Sequence, residues 1–211
     1  MHDVIPGILE KSWEEIEAKI KLLSPFAKTL HIDIADGIAT NNTTFLDPQP
    51  FAKYKDQFFL ELHMMVEEPV KYLKPFADAG FKRFLGHVEK MSDQAEFVAE
   101  GQILGEVGLA LDGPTELSAI IVPYDDLDAM LFYTCQKMGF SGPPMLPERL
   151  EKVKAFRAKS SLPIEVDGGV KDTTIKLAKD AGATRFVATS FISTAEDPKA
   201  AYAKLASLIN S

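Results

Sequence analysis

The chain has 211 residues, 46% of them hydrophobic and 26% charged, and its formal net charge is -8 at pH 7. This balance is typical of a globular protein that buries one hydrophobic core, and we expect a single domain over residues 1–211. The negative charge argues against general nucleic-acid binding, which needs cationic side chains opposite phosphates. A single cysteine, Cys135, excludes an internal disulfide and a four-cysteine zinc site, and it fits a reducing compartment.

The opening residues and the apolar runs bear on where the protein works. The stretch MHDVIPGILEKSWEE lacks the basic start and the long apolar run of a secretory signal. No later apolar run approaches the ~20 residues that a membrane helix needs. We therefore expect a cytoplasmic protein with no membrane partner, and by base rate alone a homo-oligomer.

In chain order, short runs rich in β-forming residues alternate with longer segments of helical period. Ser12 and Glu15 have the spacing of a capping box, and Gly80 and Gly182 stand where a left-handed residue often ends a helix. Strands are predicted over 3–9, 29–34, 58–66, 83–89, 107–112, 129–134, 163–168 and 185–189. Helices are predicted over 13–23, 70–79, 94–102, 147–159, 173–181 and 198–209.

This alternation predicts the α/β class and a (β/α)8 TIM barrel at the short end of its size range. A doubly wound open sheet also alternates strand and helix, and it is the alternative fold. Barrels of this kind keep their chemistry at the carboxyl ends of the strands. Side chains at those ends are therefore the first candidates for a functional site.

Four ionisable side chains lie at predicted strand ends. His31 and Asp33 share one face of the second strand, His63 is near the end of the third, and Asp167 closes the seventh. An isolated His-x-Asp pair is usually only hydrogen-bonded, but four such residues at strand ends of one barrel can converge over its mouth. Two imidazoles and two carboxylates suit one divalent metal ion of the Zn, Fe(II), Mn or Co type, and suit Mg or Ca poorly.

Three glycine-containing loops suggest a phosphate site. KMGFSGPP follows the sixth strand, DGGV ends the seventh, and ATS ends the eighth. Barrels commonly bind phosphate through backbone N–H groups of such loops. The candidate phosphate-binding residues are Gly142, Gly168, Gly169, Thr189 and Ser190.

The two aspartates predict a reaction class. Strands 2 and 7 are three places apart around a ring of eight, so Asp33 and Asp167 would approach a ligand from different sides. One carboxylate would remove a proton next to a carbonyl polarised by the metal, and the other would return a proton to the opposite face. The product is an epimer.

These motifs resemble those of the ribulose-phosphate 3-epimerase family along essentially the whole chain. The family pattern His-x-Asp-x-Met-Asp-Gly is matched by HIDIADG at 31–37, with Asn42 at the family's spacing. HMMV at 63–66, HVE at 87–89 and DGGV at 167–170 match three further family motifs. The resemblance implies a ribulose-phosphate-binding barrel that acts in the pentose phosphate pathway.

The resemblance also implies roles for individual residues. His31, Asp33, His63 and Asp167 would bind the divalent metal, with Asp33 and Asp167 as the catalytic acid–base pair. The substrate would be a phosphorylated ketose, D-ribulose 5-phosphate, converted to D-xylulose 5-phosphate through a 2,3-enediolate. Further candidates for substrate contact are Gly7, Met65, Gly139 and Ser141.

Several positions depart from the family pattern, and they leave the substrate open. Gly7 and Pro143 stand where the family has serine and glutamine, and Thr189 stands where it has glycine. Ala35 and Thr134 replace two methionines. A hexulose 6-phosphate such as allulose 6-phosphate is therefore an alternative substrate, and a non-catalytic sugar-phosphate-binding barrel is an alternative function.

A further alternative is a lyase or decarboxylase of the related phosphate-binding barrels, which would carry Asp-x-Lys-x-x-Asp on strand 3. The sequence ELHMMVEE at that place argues against it. We expect His87 to be a hydrogen-bonded residue of the barrel lining rather than a ligand. We expect Asp36 to orient His31 or His63, since metal-bound imidazoles usually donate their other N–H to an acceptor.

Overall fold

The computed structural model describes residues 2–210, and its eight strands form a closed barrel in which every neighbouring pair is parallel. The strand order follows the chain, so the barrel fold is confirmed and the open sheet is excluded. The strands are β1 (Asp3–Ile8), β2 (Thr29–Ala35), β3 (Phe59–Met65), β4 (Phe81–His87), β5 (Glu106–Leu111), β6 (Ala129–Tyr133), β7 (Ile164–Asp167) and β8 (Arg185–Ala188).

The six predicted helices are all present, with ends that shift by a few residues, and the chain adds one short helix directly after β8 that was not predicted. They are α1 (Trp13–Leu23), α2 (Val70–Asp78), α3 (Gln94–Leu104), α4 (Leu150–Arg157), α5 (Ile175–Asp180), α6 (Ser190–Ser193) and α7 (Pro198–Asn210). The segment Pro147–Arg149 is a 3-10 turn that leads into α4. Within residues 2–210, none of these helices has the length and apolar character needed to cross a membrane.

Two of the eight connections differ from the ideal barrel pattern. Between β2 and β3 the chain forms a 3-10 helix over Gln49–Tyr54, with a proline at its start. Between β5 and β6 it forms only two short 3-10 turns, Leu117–Ala119 and Tyr124–Asp126. The alternation of strand and α-helix is therefore incomplete, although the barrel closes.

The expected helix signals are confirmed. The Ser12 side chain accepts a hydrogen bond from the Glu15 N–H, and the Glu15 carboxylate accepts one from the Ser12 N–H at 3.2 Å. Gly80 and Gly182 have φ of 97° and 107°, a left-handed conformation that favours glycine. These signals fix where the helices begin and end, and thereby the length of chain between one strand and the next.

Successive side chains of each strand point alternately outward, into the core between strands and helices, and inward, into the barrel. On β2, Leu30, Ile32 and Ile34 pack in the large core between strands and helices. His31 and Asp33, on the opposite face, point into the barrel, where a small apolar cluster containing Leu85, Ala110 and Leu131 fills part of the space. The rest of the barrel interior on the β2, β3 and β7 side is occupied by charged and polar side chains.

Replacing the helix cap tests the link between local sequence and fold. Ser12→Ala removes the hydroxyl that accepts the Glu15 N–H, so we expect the free energy of unfolding to fall by about 1 kcal/mol. Ser118→Ala is the control, because Ser118 is exposed and its hydroxyl makes no hydrogen bond within residues 2–210. Denaturant unfolding measures both. A loss that is equal in the two variants would mean that the cap does not stabilise α1.

Candidate active site

The four predicted ligands meet inside the barrel at the carboxyl ends of three strands. One ligand atom each from His31, Asp33, His63 and Asp167 lies within 4.8 Å of the others. Asp33 on β2 is the register partner of His63 on β3, which brings those two side chains together. Both histidines are fully buried, and Asp33 and Asp167 are 5% and 8% exposed.

The His31 ring is held at one nitrogen and unpartnered at the other. Its Nδ1 donates a hydrogen bond to Glu61 Oε1 at 2.7 Å and lies 3.2 Å from Glu165 Oε1. Its Nε2 lies 3.3 Å from Asp33 Oδ1 and has no hydrogen-bond partner among residues 2–210. A buried imidazole nitrogen without a partner, aimed at two carboxylates, is the arrangement that a metal-binding histidine requires.

Beneath His31 the barrel contains a layer of paired charges that the sequence analysis missed. Arg83 Nη1 lies 2.6 Å from Glu61 Oε2, and the Arg185 guanidinium contacts the same oxygen. Arg185 Nε donates to Glu165 Oε2 at 2.7 Å. The two arginines balance the two buried glutamates, which would otherwise be costly to remove from water. The sequence gives one hint of this layer. Glu61 and Glu165 each lie two residues before a predicted ligand, so they share its face of the strand.

The His63 ring belongs to a chain of buried polar groups. Its Nδ1 faces Asp33 Oδ1 at 2.8 Å and Asp167 Oδ2 at 3.5 Å. Its Nε2 lies 2.9 Å from His87 Nε2, and His87 Nδ1 lies 3.2 Å from Glu89 Oε2. His87 is thus a hydrogen-bonded lining residue, in keeping with its predicted role.

Proton positions in this chain follow from the chemistry of its end. Burial lowers the pKa of His87, so its ring is neutral, and the Glu89 carboxylate can only accept a hydrogen bond. His87 Nδ1–H therefore donates to Glu89, and His87 Nε2 accepts from His63 Nε2–H. With its Nε2 held by His87, His63 can reach a metal ion only through Nδ1, the nitrogen that faces Asp33 and Asp167.

Asp36 does not orient either histidine, and that expectation was wrong. Its carboxylate accepts hydrogen bonds from the backbone N–H groups of Ile38, Ala39 and Glu67, at 2.8, 2.9 and 2.8 Å. An aspartate at a strand end is well placed to bind nearby backbone amides, and this one ties the loop after β2 to the loop after β3. Glu61 and His87 hold the two histidine rings instead.

The two site aspartates have opposite pKa shifts. Burial and, after it, the nearby Asp33 carboxylate raise the pKa of Asp167 to about 7. Burial acts in the same direction on Asp33, but the positive charge of His31 and the close contacts with the His31 and His63 rings outweigh it and lower the Asp33 pKa to about 2. Two carboxylates with separated pKa values are typical of an acid–base pair.

A cavity opens above these aspartates, and most of the predicted substrate contacts line it. Thr134, where the family has methionine, donates through its hydroxyl to the Asp167 and Gly168 carbonyl oxygens at 2.9 and 2.6 Å, fixing the end of β7. Gly7 is not part of the lining. The predicted residues that line the cavity are Asp33, Met65, Gly139, Ser141, Gly142, Asp167, Gly168, Gly169, Thr189 and Ser190.

The loops after β2 and β6 are joined at the cavity rim. The Thr40 hydroxyl donates to the Met138 carbonyl and the Asn42 amide donates to the Gly139 carbonyl, each at 2.7 Å. Asn42 therefore shapes the loop that carries Gly139 and Ser141. The loop after β6 is thereby held over the site.

Comparison with known proteins supports the resemblance found in the sequence. The model of the "Ribulose-phosphate 3 epimerase family" matches residues 3–193. The chain belongs to the ribulose-phosphate 3-epimerase family. The "Ribulose-phosphate 3-epimerase, cytoplasmic isoform" of Oryza sativa subsp. japonica is 33% identical over 204 residues, covering 92% of this chain and 89% of its own. The Mycobacterium bovis ribulose-phosphate 3-epimerase is 30% identical over 210 residues, covering 96% and 90%. The predicted class, an isomerase acting on carbohydrates, is the class of these relatives.

Solved structures support the barrel fold. "KGPDC" from Streptococcus mutans superposes with a TM-score of 0.75 at 12% identity, over 100% of this chain and 98% of that chain. The 3-keto-L-gulonate-6-phosphate decarboxylase from Vibrio cholerae superposes with a TM-score of 0.75 at 13% identity, over 99% and 97%. Identities this low indicate a shared fold alone, and β3 of this epimerase-family chain reads FLELHMM, without the lysine expected of a decarboxylase.

His87 can be tested for its effect on His63. His87→Phe keeps a ring but removes the acceptor for His63 Nε2–H, so we expect zinc affinity to fall about 10- to 100-fold. His2→Phe is the matched control, because His2 contacts Phe186 and lies away from the four ligands. Calorimetric titration of zinc into chelator-treated protein measures both, with thermal melts to verify folding. Equal affinity in wild type and His87→Phe would contradict this role.

Proposed function

We propose that this protein is a metal-dependent epimerase that interconverts D-ribulose 5-phosphate and D-xylulose 5-phosphate at C3. The observation that carries the proposal is the pair of buried carboxylates, Asp33 and Asp167, at the floor of one cavity beside two histidines with metal-ligand geometry. Membership of the epimerase family supports the same reaction.

His31, Asp33, His63 and Asp167 would hold one divalent ion of the Zn, Fe(II), Mn or Co type. The unpartnered His31 Nε2 and the His63 Nδ1 that faces both aspartates support this set of donors. When bound, the ion supplies positive charge opposite the negative charge that develops on the ketose as C3 loses its proton.

The two aspartates would move the protons. One carboxylate takes the C3 proton from one face of the substrate, and the electron pair of that C–H bond enters the carbonyl system to give the 2,3-enediolate. The other carboxylate donates a proton to the opposite face of C3, which inverts its configuration. Asp33 on β2 and Asp167 on β7 enter the cavity from strands three places apart in the ring, which supports a two-sided transfer. Their separated pKa values let one be ionised while the other holds a proton.

The substrate phosphate would bind at the loops after β7 and β8. Gly169, Val170 and Ser190 line the cavity, and within residues 2–210 their backbone N–H groups donate no backbone hydrogen bond. Free N–H groups beside a cavity are suited to phosphate oxygens whatever the net charge of the chain. Gly168 and Gly169 have φ of 105° and 72°, which brings this backbone close to the ligand without side chains in the way.

Two further expectations belong to this proposal. A cytoplasmic location agrees with the name of the rice relative, and a homo-oligomer stays a prediction from base rate. The single domain over residues 1–211 also stays a prediction.

Hydrogen exchange tests the reaction directly. In deuterated water the wild type should give D-xylulose 5-phosphate carrying solvent deuterium at C3 from D-ribulose 5-phosphate, followed by proton NMR. Allulose 6-phosphate in a parallel tube distinguishes a hexulose 6-phosphate epimerase, which would exchange that sugar faster. Binding of both sugars with exchange of neither would identify a non-catalytic binding protein and contradict the proposal.

Removing either carboxylate tests its role in proton transfer. Asp33→Asn and Asp167→Asn should each lower kcat at least ~1,000-fold, because the amide can neither take nor return the proton. Asp180→Asn, at the end of α5, is the matched control and should keep full activity. Thermal melts report folding. Turnover by Asp33→Asn within tenfold of wild type would eliminate the two-aspartate mechanism.

Metal removal has an expected effect on both activity and stability. Chelator-treated protein should lose activity and regain it with Zn, Mn, Co or Fe(II), but not with Mg or Ca. At free metal about 1,000 times the Kd, binding should add about 4 kcal/mol to the free energy of unfolding. An unchanged melting temperature together with full activity after chelation would show that no metal is needed.

A further inference from the structure

Gly7 and Thr189 are coupled across the β1–β8 side of the barrel. A Cβ placed on Gly7 would lie 2.2 Å from the Thr189 hydroxyl oxygen and 3.2 Å from Val187 Cγ1. Gly7 does not have a positive φ, so its backbone conformation would accept any residue. Glycine is therefore needed at position 7 to make room for the Thr189 hydroxyl, which stands where a β1 side chain would otherwise enter the barrel.

The Thr189 hydroxyl has no structural partner. It precedes α6, yet its side chain makes no capping hydrogen bond. Within residues 2–210 it makes no other hydrogen bond, and the residue is half-buried in the lining of the cavity that contains Asp33 and Asp167. A threonine at a helix start normally uses its hydroxyl on the backbone, so this one is available to a ligand.

The position of this hydroxyl indicates which part of the substrate it meets. Gly7, over which it stands, is the register partner of His31. The next residue after Thr189 is Ser190, which lines the same cavity and whose N–H donates no backbone hydrogen bond within residues 2–210. The hydroxyl thus lies between the reacting centre and the phosphate. In a 2-ketose 5-phosphate that reacts at C3, C4 bears the one hydroxyl between those two points.

We propose that Thr189 is a specificity-determining residue whose hydroxyl binds the C4 hydroxyl of the ketose phosphate. This inference rests on the proposed function, because it takes the reacting carbon at the aspartates and the phosphate at the Ser190 loop as given. The contact comes from β8, and it fills the space that a β1 side chain would occupy if residue 7 had one. The missing polar group at Gly7 is thereby replaced from the neighbouring strand.

The test combines a change in the enzyme with a change in the substrate. Thr189→Val keeps the branched shape and removes the hydroxyl, while Thr189→Ser keeps the hydroxyl. Thr173→Val is the control, since Thr173 is exposed and outside the cavity. Each metal-loaded protein is assayed for C3 deuterium incorporation with ribulose 5-phosphate and with its 4-deoxy analogue, and metal content is measured in parallel.

The wild type, Thr189→Ser and Thr173→Val should prefer ribulose 5-phosphate over the 4-deoxy analogue by about 10- to 100-fold in kcat/KM. Thr189→Val should lose that preference at unchanged metal content, and its deficit should be confined to the 4-hydroxy substrate. Equal loss on both substrates, or a wild type indifferent to the 4-hydroxyl, would overturn the inference while epimerisation stands. A wild type that exchanges neither sugar would refute the proposed function itself. If Thr189→Val melts early, Thr189→Ala repeats the comparison, because it also removes the hydroxyl.

Discussion

The structure depends on burying two carboxylates and two imidazoles together at the carboxyl ends of β2, β3 and β7. Charges removed from water are costly unless they are paired or bound to a cation, and here the pairing continues downwards through the barrel. Beneath His31 lie Glu61 and Glu165, and beneath them the guanidinium groups of Arg83 and Arg185. Charge of alternating sign along the barrel axis lets two aspartates stay desolvated at the cavity floor.

The same arrangement fixes each ligand before a substrate arrives. Glu61 holds the His31 ring, His87 holds the His63 ring, and Thr134 holds the backbone of Asp167. Groups held by buried hydrogen bonds need little reorganisation during a reaction, which is the main source of electrostatic catalysis. The cavity loops differ in kind, because they present free backbone N–H groups and one unpartnered hydroxyl to the ligand. The strands therefore carry the fixed ionisable side chains, and the loops carry the unpartnered groups that can bind the ligand.

The fold and the convergence of His31, Asp33, His63 and Asp167 could be predicted because they follow from local patterns. Strand periodicity puts His31 and Asp33 on one face, and closure of a parallel barrel brings strand ends together. Groups that depend on distant neighbours could not be predicted: Arg83 and Arg185 meet Glu61 from strands far apart in sequence, and Asp36 binds backbone amides that no side-chain pattern reveals. Gly7 and Thr189 looked like two separate departures, and only their contact shows that they belong together.

One cation is proposed to join the four side chains. Crystals of the zinc-loaded protein, measured with X-rays on both sides of the zinc absorption edge, test it most directly. We expect one strong anomalous peak about 2.0–2.2 Å from His31 Nε2, His63 Nδ1 and an oxygen each of Asp33 and Asp167. A peak held by other residues, or no peak at this position in zinc-loaded crystals, would contradict it.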